Sequence, residues 1–273
     1  MGVEESVVKH YSSGNLEEQI LAALRTGGKD PAHLHPDDLT GLDQLHTGGL
    51  EAALDIARGA GINGSSHVLD VGCGMGGPAR VYAHAFGATV QGIDLTPEYV
   101  DVATSLSARV GLDHQVSFGV GNAASLPFED ASFDIATMLH VGMNIRDKDR
   151  VFAEVARVLR SGGVFAIYDI MKMGGEDPEF PLPWSSEPAT SFVQPPMAYS
   201  DALGQAGLEV DSERSRREFG ISFLEHGRAA GAAGPFGGNL TMQGPDGLVR
   251  FGNLLAAFNA GILAPVEIFS HKP

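Results

Sequence analysis

The run Val68-Leu69-Asp70-Val71-Gly72-Cys73-Gly74-Met75-Gly76-Gly77 constrains this chain more than any other stretch. His67 to Val71 reads as a buried strand, and the glycines end it. A helix beginning near Pro78 then carries Ala79, Val81, Tyr82, Ala85 and Phe86. Strand, glycine turn and helix is the geometry in which backbone closes on a nucleotide-like ligand, with helix N–H groups aimed at it. Glycine suits such a turn because a Cβ would block the approach and because φ can be positive. Gly72, Gly74 and Gly77 fit the spacing G-x-G-x-x-G, which many nucleotide-binding folds share.

Two carboxylates narrow the ligand. Asp70 lies inside the motif at the strand's end, where it would repel a pyrophosphate and suit a cationic amine. Asp94, 18 residues beyond Gly76, ends the apolar strand Ala88-Thr89-Val90-Gln91-Gly92-Ile93, where a carboxylate can accept from both ribose hydroxyls. An adenosine ribose with an ammonium group and no phosphate describes S-adenosylmethionine (SAM). Val-Leu-Asp-Val-Gly-Cys-Gly resembles the first motif of the class I SAM-dependent methyltransferases, and Gly92-Ile93-Asp94 resembles their acidic second motif. The resemblance implies a donor site formed by Asp70, Gly72, Cys73, Gly74, Gly76, Asp94, Leu95, Asn122, Ala123 and Leu139, with S-adenosylhomocysteine as product. The family commonly has an acidic residue at the position of Asn122; the carbonyl of an asparagine can still accept from the adenine amine. Cys73 supplies a small side chain and is not read as a nucleophile.

The pattern around the motif predicts an α/β fold: a Rossmann-like, seven-stranded, mostly parallel sheet with helices on both faces. Residues 1–60 read as an N-terminal helical cap. Leu16, Ile20, Leu21 and Leu24 recur at helical spacing before Gly27-Gly28. A polar loop runs from Pro31 to Gly41, and Thr47 is placed as the N-cap of a helix carrying Leu50, Ala53, Leu54 and Ala57. Residues 61–219 form the SAM-binding core. Thr96-Pro97-Glu98 starts a helix, Gln115 to Val120 and Phe133 to Leu139 are strands, Asp147 caps a helix, and Ser161-Gly162-Gly163 turns into a strand from Val164 to Ile170. Residues 220–260 are expected to form a lid or an oligomer contact, with helical pieces at Phe223 to Ala230 and Leu248 to Asn259 flanking a glycine-rich loop from Gly231 to Gly247. Residues 261–273 supply the last, antiparallel strand.

In-line methyl transfer needs donor and acceptor close and collinear, and an acceptor that loses a proton gains from a general base. Ligands bind at the C-terminal edge of such sheets. His140, just past the fourth strand, is the candidate base, and Asp169, at the end of the fifth, is a candidate for orienting the acceptor or stabilising a cation. Tyr11 and His46 from the cap, and Trp184, Phe192 and Tyr199 from the proline-rich region after the fifth strand, are candidate acceptor contacts. Gln44 is a further candidate contact from the cap, and Glu225, His226 and Tyr199 are weaker candidates for the base. His33-Leu-His35 has no third ligand nearby in sequence, so no metal is expected.

The 273 residues carry 18 basic and 34 acidic side chains, a formal net charge of −16, which disfavours nucleic acid as a partner. One cysteine excludes an internal disulfide. The N-terminus reads as lacking an export signal and no apolar run is long enough to span a membrane, so a cytoplasmic protein is expected. Gly76-Gly77-Pro78-Ala79-Arg80 resembles sterol and tocopherol C-methyltransferases. The Leu-His-Val-Gly-Met-Asn-Ile run and the Pro-Trp-Ser-Ser-Glu-Pro loop resemble bacterial methyltransferases of quinones, sarcosine or specialised metabolites. The expected activity is C- or O-methylation of an apolar, isoprenoid-bearing small metabolite. The competing readings are an N-methyltransferase of a small amine such as sarcosine or dimethylglycine, which needs an arginine or lysine for the carboxylate; a SAM-binding protein without transferase activity; and a nicotinamide oxidoreductase.

Overall fold

The computed structural model describes residues 2–12, 14–230 and 246–273. Four helices lead in: α1 (Val3–Tyr11), α2 (Leu16–Thr26), one-turn α3 (Pro36–Leu39) and α4 (Gly49–Gly59). An alternating series follows: β1 (His67–Val71), α5 (Gly77–Phe86), β2 (Thr89–Asp94), α6 (Pro97–Arg109), β3 (Val116–Val120), β4 (Phe133–Leu139), α7 (Lys148–Val158), β5 (Leu159–Lys172), α8 (Pro196–Gln205) and β6 (Glu209–Ser215). Helices α9 (Arg217–Ala230) and α10 (Gly247–Asn259) precede β7 (Leu263–His271).

The strands form one seven-stranded sheet in the order β3-β2-β1-β4-β5-β7-β6. Neighbours from β3 to β5 run parallel, while β7 pairs antiparallel with both β5 and β6. The order reverses between β1 and β4. Loops after those strands therefore diverge and leave a crevice at their carboxyl ends, where an open α/β sheet binds its ligand.

Successive strand residues point to opposite faces. Leu69 and Val71 of β1 join Met138, Phe152, Val155, Phe165 and Leu203 under α7 and α8. Val68 joins Ala53, Ile56, Ala79, Tyr82 and Tyr168 under α4 and α5. The cap rests on its own apolar seam, Leu16, Ile20 and Leu24 of α2 against Val102 and Leu106 of α6. A further cluster joins Leu182, Trp184 and Leu224 to Leu254, Leu255 and Phe258 of α10.

Several local expectations shift. The loop from Pro31 to Gly41 contains α3, which begins because the Asp38 carboxylate accepts from the His35 backbone N–H (2.9 Å). Thr47 does not cap α4. The cap position is Gly48 at φ 92°, where a side chain would collide with Phe219. Thr96 precedes α6, but its side chain makes no capping bond. Glu98 reaches instead to the backbone of Gly14 and Leu16 (3.0 and 2.9 Å) and starts α2. Strand β5 begins at Leu159, since the Ser161-Gly162-Gly163 turn stays within the strand. Helix α9 begins at Arg217, before the expected lid boundary at 220. Of the expected glycine-rich loop, residues 231–245 lie outside the described residues, and Gly247 begins α10.

Candidate active site

The crevice opens into a cavity of about 890 Å³, near the upper end of the range for small-molecule sites. Its first end is built from strand ends and backbone. The N–H groups of Gly72 and Cys73 both donate to the Ile93 carbonyl (2.8 and 3.0 Å), strapping the glycine turn across β2. Gly72 stands at φ 70°, and a Cβ there would strike Val141. Asp94 accepts from the Gly74 N–H and the Thr96 N–H, both at 2.9 Å. Each oxygen keeps a lone pair for a ribose hydroxyl. Burial raises the Asp94 carboxyl above the ordinary range.

Asp70 is buried. Its Oδ1 accepts from the Thr137 hydroxyl (2.9 Å), and its Oδ2 has no partner among the described residues. Burial, with the nearby Asp94 charge in support, pushes this carboxyl up to about 7. An orphaned buried carboxylate oxygen on a cavity wall suits an ammonium group, whose charge would draw the acid back to its ionised form. Asp70 and Asp94 thus fit the amine and ribose of SAM. Gly72, Cys73, Gly74, Leu95, Asn122, Ala123 and Leu139 also line the cavity.

One donor-site expectation needs correction, and a second is constrained by neighbours. Gly76 does not line the cavity, because its Cα faces Phe118 and Arg80 and the chain has already turned into α5. Asn122 is less free than expected: Oδ1 accepts from the Ala124 N–H (2.8 Å), and Nδ2 donates to Glu4 of α1 (2.6 Å).

Behind the donor loop, the Arg80 guanidinium is buried and donates to Asp43 Oδ2 (2.8 Å), the Met75 carbonyl (2.5 Å) and the Ser107 hydroxyl (3.0 Å). One ion pair therefore joins the cap to α5 and the glycine turn. Desolvation raises the Asp43 carboxyl against the pull of Arg80.

His140 lines the cavity just past β4, at φ 55°, with its backbone N–H donating to the Tyr168 carbonyl (2.7 Å). Its Nε2 is enclosed without a partner among the described residues. Burial, then the neighbouring His46, holds this imidazole well below its usual pKa. The His46 ring lies 6.0 Å away and contacts Gln44 Oε1 (3.1 Å), and burial pushes its own pKa down to about 4. The cavity therefore presents two neutral imidazoles near pH 7.

Asp169 and Tyr199 are not on the cavity wall. They lie beneath the turn Gly142–Asn144, where the Tyr199 hydroxyl donates to Asp169 Oδ2 (2.6 Å) and the Ile170 N–H to Oδ1 (2.9 Å). Burial pushes Asp169 up to about 6 against the opposing Tyr199 bond and the charge of Lys148. Both residues support the turn that carries Met143 and Asn144 into the cavity, which corrects the expectation of direct acceptor contact.

Tyr11 and Trp184 do line the cavity. Tyr11 accepts from Asn144 Nδ2 (3.3 Å), and burial pushes its hydroxyl up to about 12. Trp184 Nε1 donates to Ser191 Oγ (2.9 Å). Phe192 is turned away, with the Arg146 guanidinium 5.0 Å from its ring centre. Glu225 and His226 are exposed on α9 and outside the cavity.

Sequence reasoning missed His10, Met143, Asn144, Arg250, Phe251 and Leu254, which also line it. An arginine on the apolar face of α10, four residues before Leu254, was the available signal for Arg250. His35 and Asp37 meet His84 of α5, their ligand atoms all within 4.8 Å of one another in an exposed cluster. His84 lies far along the chain, so the His33-Leu-His35 spacing gave no hint of it.

Comparison with known proteins agrees with this geometry. Residues 69–167 match a family described as a methyltransferase domain. Methyltransferase GfsG of Streptomyces halstedii is 34% identical over 165 residues, 60% of this chain and 59% of that protein. Sterol 24-C-methyltransferase erg6 of Aspergillus fumigatus is 36% identical over 126 residues, 46% of this chain and 33% of that protein. The aligned stretches thus span 59% and 33% of these relatives, less than two thirds of either. Geranyl diphosphate C-methyltransferase from Streptomyces coelicolor A3(2), solved with Mg2+, geranyl diphosphate and S-adenosyl-L-homocysteine, superposes with a TM-score of 0.73 at 17% identity, covering 100% of this chain and 98% of that one. Residues 69–167 thus carry a methyltransferase domain, and the sheet that holds them has a Rossmann-like fold.

Proposed function

We propose that this class I domain transfers the methyl group of SAM to a small apolar metabolite, at oxygen or carbon. The observation that carries the reading is a single cavity with two unlike ends. Asp70 and Asp94 stand at one, the cluster of Met143, Trp184, Phe251 and Leu254 at the other, and His140 lines the same cavity. SAM, when bound, supplies an electrophilic sulfonium methyl. Asp70 holds the ammonium, Asp94 the ribose, and the glycine turn lets the backbone close against the ligand. The Gly142–Asn144 turn, supported by Asp169, fixes Met143 and Asn144 on the acceptor side. His140 is neutral near pH 7, so its imidazole has a lone pair for a proton leaving an acceptor hydroxyl or activated carbon. Alignment of the two reactants supplies the larger share of the rate.

The cavity holds SAM and acceptor together, and Met143, Trp184, Phe251 and Leu254 at its acceptor end favour an apolar acceptor over sarcosine. The net charge of −16 favours a small molecule over nucleic acid, and no described helix is long and apolar enough to cross a membrane. A cytoplasmic place and a role in specialised metabolism belong to the same proposal and rest on the sequence reading. The test is transfer of isotope-labelled methyl from SAM across a panel of prenylated and aromatic hydroxylated metabolites. Turnover of at least one, abolished by S-adenosylhomocysteine, is expected. Tight SAM binding with no transfer across the panel would favour the non-catalytic SAM-binding reading.

A further inference from the structure

Arg250 is the unusual residue of the acceptor end. It is 8% exposed, lines the cavity, and has no carboxylate partner among the described residues. Its guanidinium is held from behind: Nη1 donates to the Leu182 carbonyl (2.6 Å) and Nη2 to the Ser186 hydroxyl (2.8 Å), while Nε is enclosed without a partner. Neutral partners fix the fork in place but leave its charge uncompensated. The other deeply buried guanidinium, Arg80, is neutralised by Asp43 at 2.8 Å. In a chain of net charge −16, a buried cation on a cavity wall with no acid paired to it among the described residues is ready-made for a ligand's anion. Its surroundings agree. His10 and Tyr11 lie within reach of its field, which favours the neutral form of the first and the ionised form of the second. Trp184, Phe251 and Leu254 wall the same end.

From this juxtaposition we infer that the acceptor is an amphiphilic acid: Arg250 binds its carboxylate or phosphate group, and the apolar wall holds its body. The inference rests on the proposed acceptor occupying this cavity. It changes the expected substrate from a neutral apolar metabolite to one whose anionic group lies away from the methylated atom. Arg250 then determines specificity by charge and fork geometry.

The test uses the full chain saturated with SAM and three probes of one shape: octanoate, octyl phosphate and octanol. Calorimetry should show at least one of the two anions binding about ten-fold or more tighter than octanol. Whichever anion binds tighter names the group. Arg250→Gln should erase the preference and leave SAM affinity unchanged; Arg250→Lys should keep part of it. An arginine that only pins residues 182–186 to α10 would leave the anion-to-alcohol ratio where it was. If Arg250→Gln does not fold, the wild-type ratio and Arg250→Lys decide. Equal binding of the three probes, no binding of any, or an unchanged ratio in Arg250→Gln would overturn the inference. Failure to bind SAM at all would overturn the proposed function instead.

Discussion

The two ends of the cavity are built differently. The donor end comes almost entirely from residues 70–99 and 121–123, held by backbone hydrogen bonds at strand termini. The acceptor end is gathered from α1, residue 46, the turn after β4, the loop at 183–184 and α10, and its polar groups are side chains. A site made of contiguous backbone is set by the fold itself. One made of distant side chains can be altered without disturbing the fold, which is how one architecture accommodates many acceptors. Substitutions at the two ends should therefore have separable effects.

The largest effect is expected behind the donor end, where Arg80 is tied to Asp43. Asp43→Ala strands the buried Arg80 and should lower stability by about 3–5 kcal/mol, measured by denaturant unfolding; a loss under 1 kcal/mol would mean the cap and the glycine turn are not coupled through this pair. His140→Ala should lower turnover by ~10²-fold or more while SAM affinity holds. Kinetics beside calorimetry would separate the ends, and equal losses in both would break the comparison. Asp94→Ala should weaken SAM by about 1–3 kcal/mol; unchanged affinity would show that the ribose lies elsewhere. Tyr199→Phe removes one bond to Asp169 and should reduce stability by about 1 kcal/mol without touching SAM binding, whereas a direct acceptor contact would appear as a raised KM alone.

A separate effect is with pH. Asp70 sits near 7 in the folded chain against a usual 3.8, so the folded state binds the extra proton between those values. Its burial therefore lowers stability progressively as pH rises through that window, and below it the two states are equally protonated. A ligand ammonium favours the ionised acid, so SAM affinity should climb from pH 5.5 to 7 by up to about ten-fold per unit. Asp70→Asn should flatten that slope, and an unchanged slope would remove Asp70 from the amine site.

Sequence made the donor end legible because its determinants are local. The Gly72–Gly77 run, Asp70 and Asp94 carry their geometry in their spacing, and the alternation of strands and helices placed them at one sheet edge. His140 was found the same way, as the residue following β4. Asp169 was misjudged because strand-end position says nothing of the Gly142–Asn144 turn folded over it. Thr47 failed as a cap because Phe219, from a distant helix, leaves room only for glycine at the next position. Arg250 showed in the sequence only as an arginine on the apolar face of α10; its significance lies in the lack of a counter-charge among the described residues, which only tertiary packing reveals.

The central claim is that the glycine turn with Asp70 and Asp94 is a SAM site. Titrating the purified chain with SAM and, separately, with NADH in a calorimeter tests it most directly. Saturable one-to-one SAM binding and no heat with NADH are expected. NADH binding in the absence of SAM binding would contradict it and return the glycine turn to the dinucleotide reading.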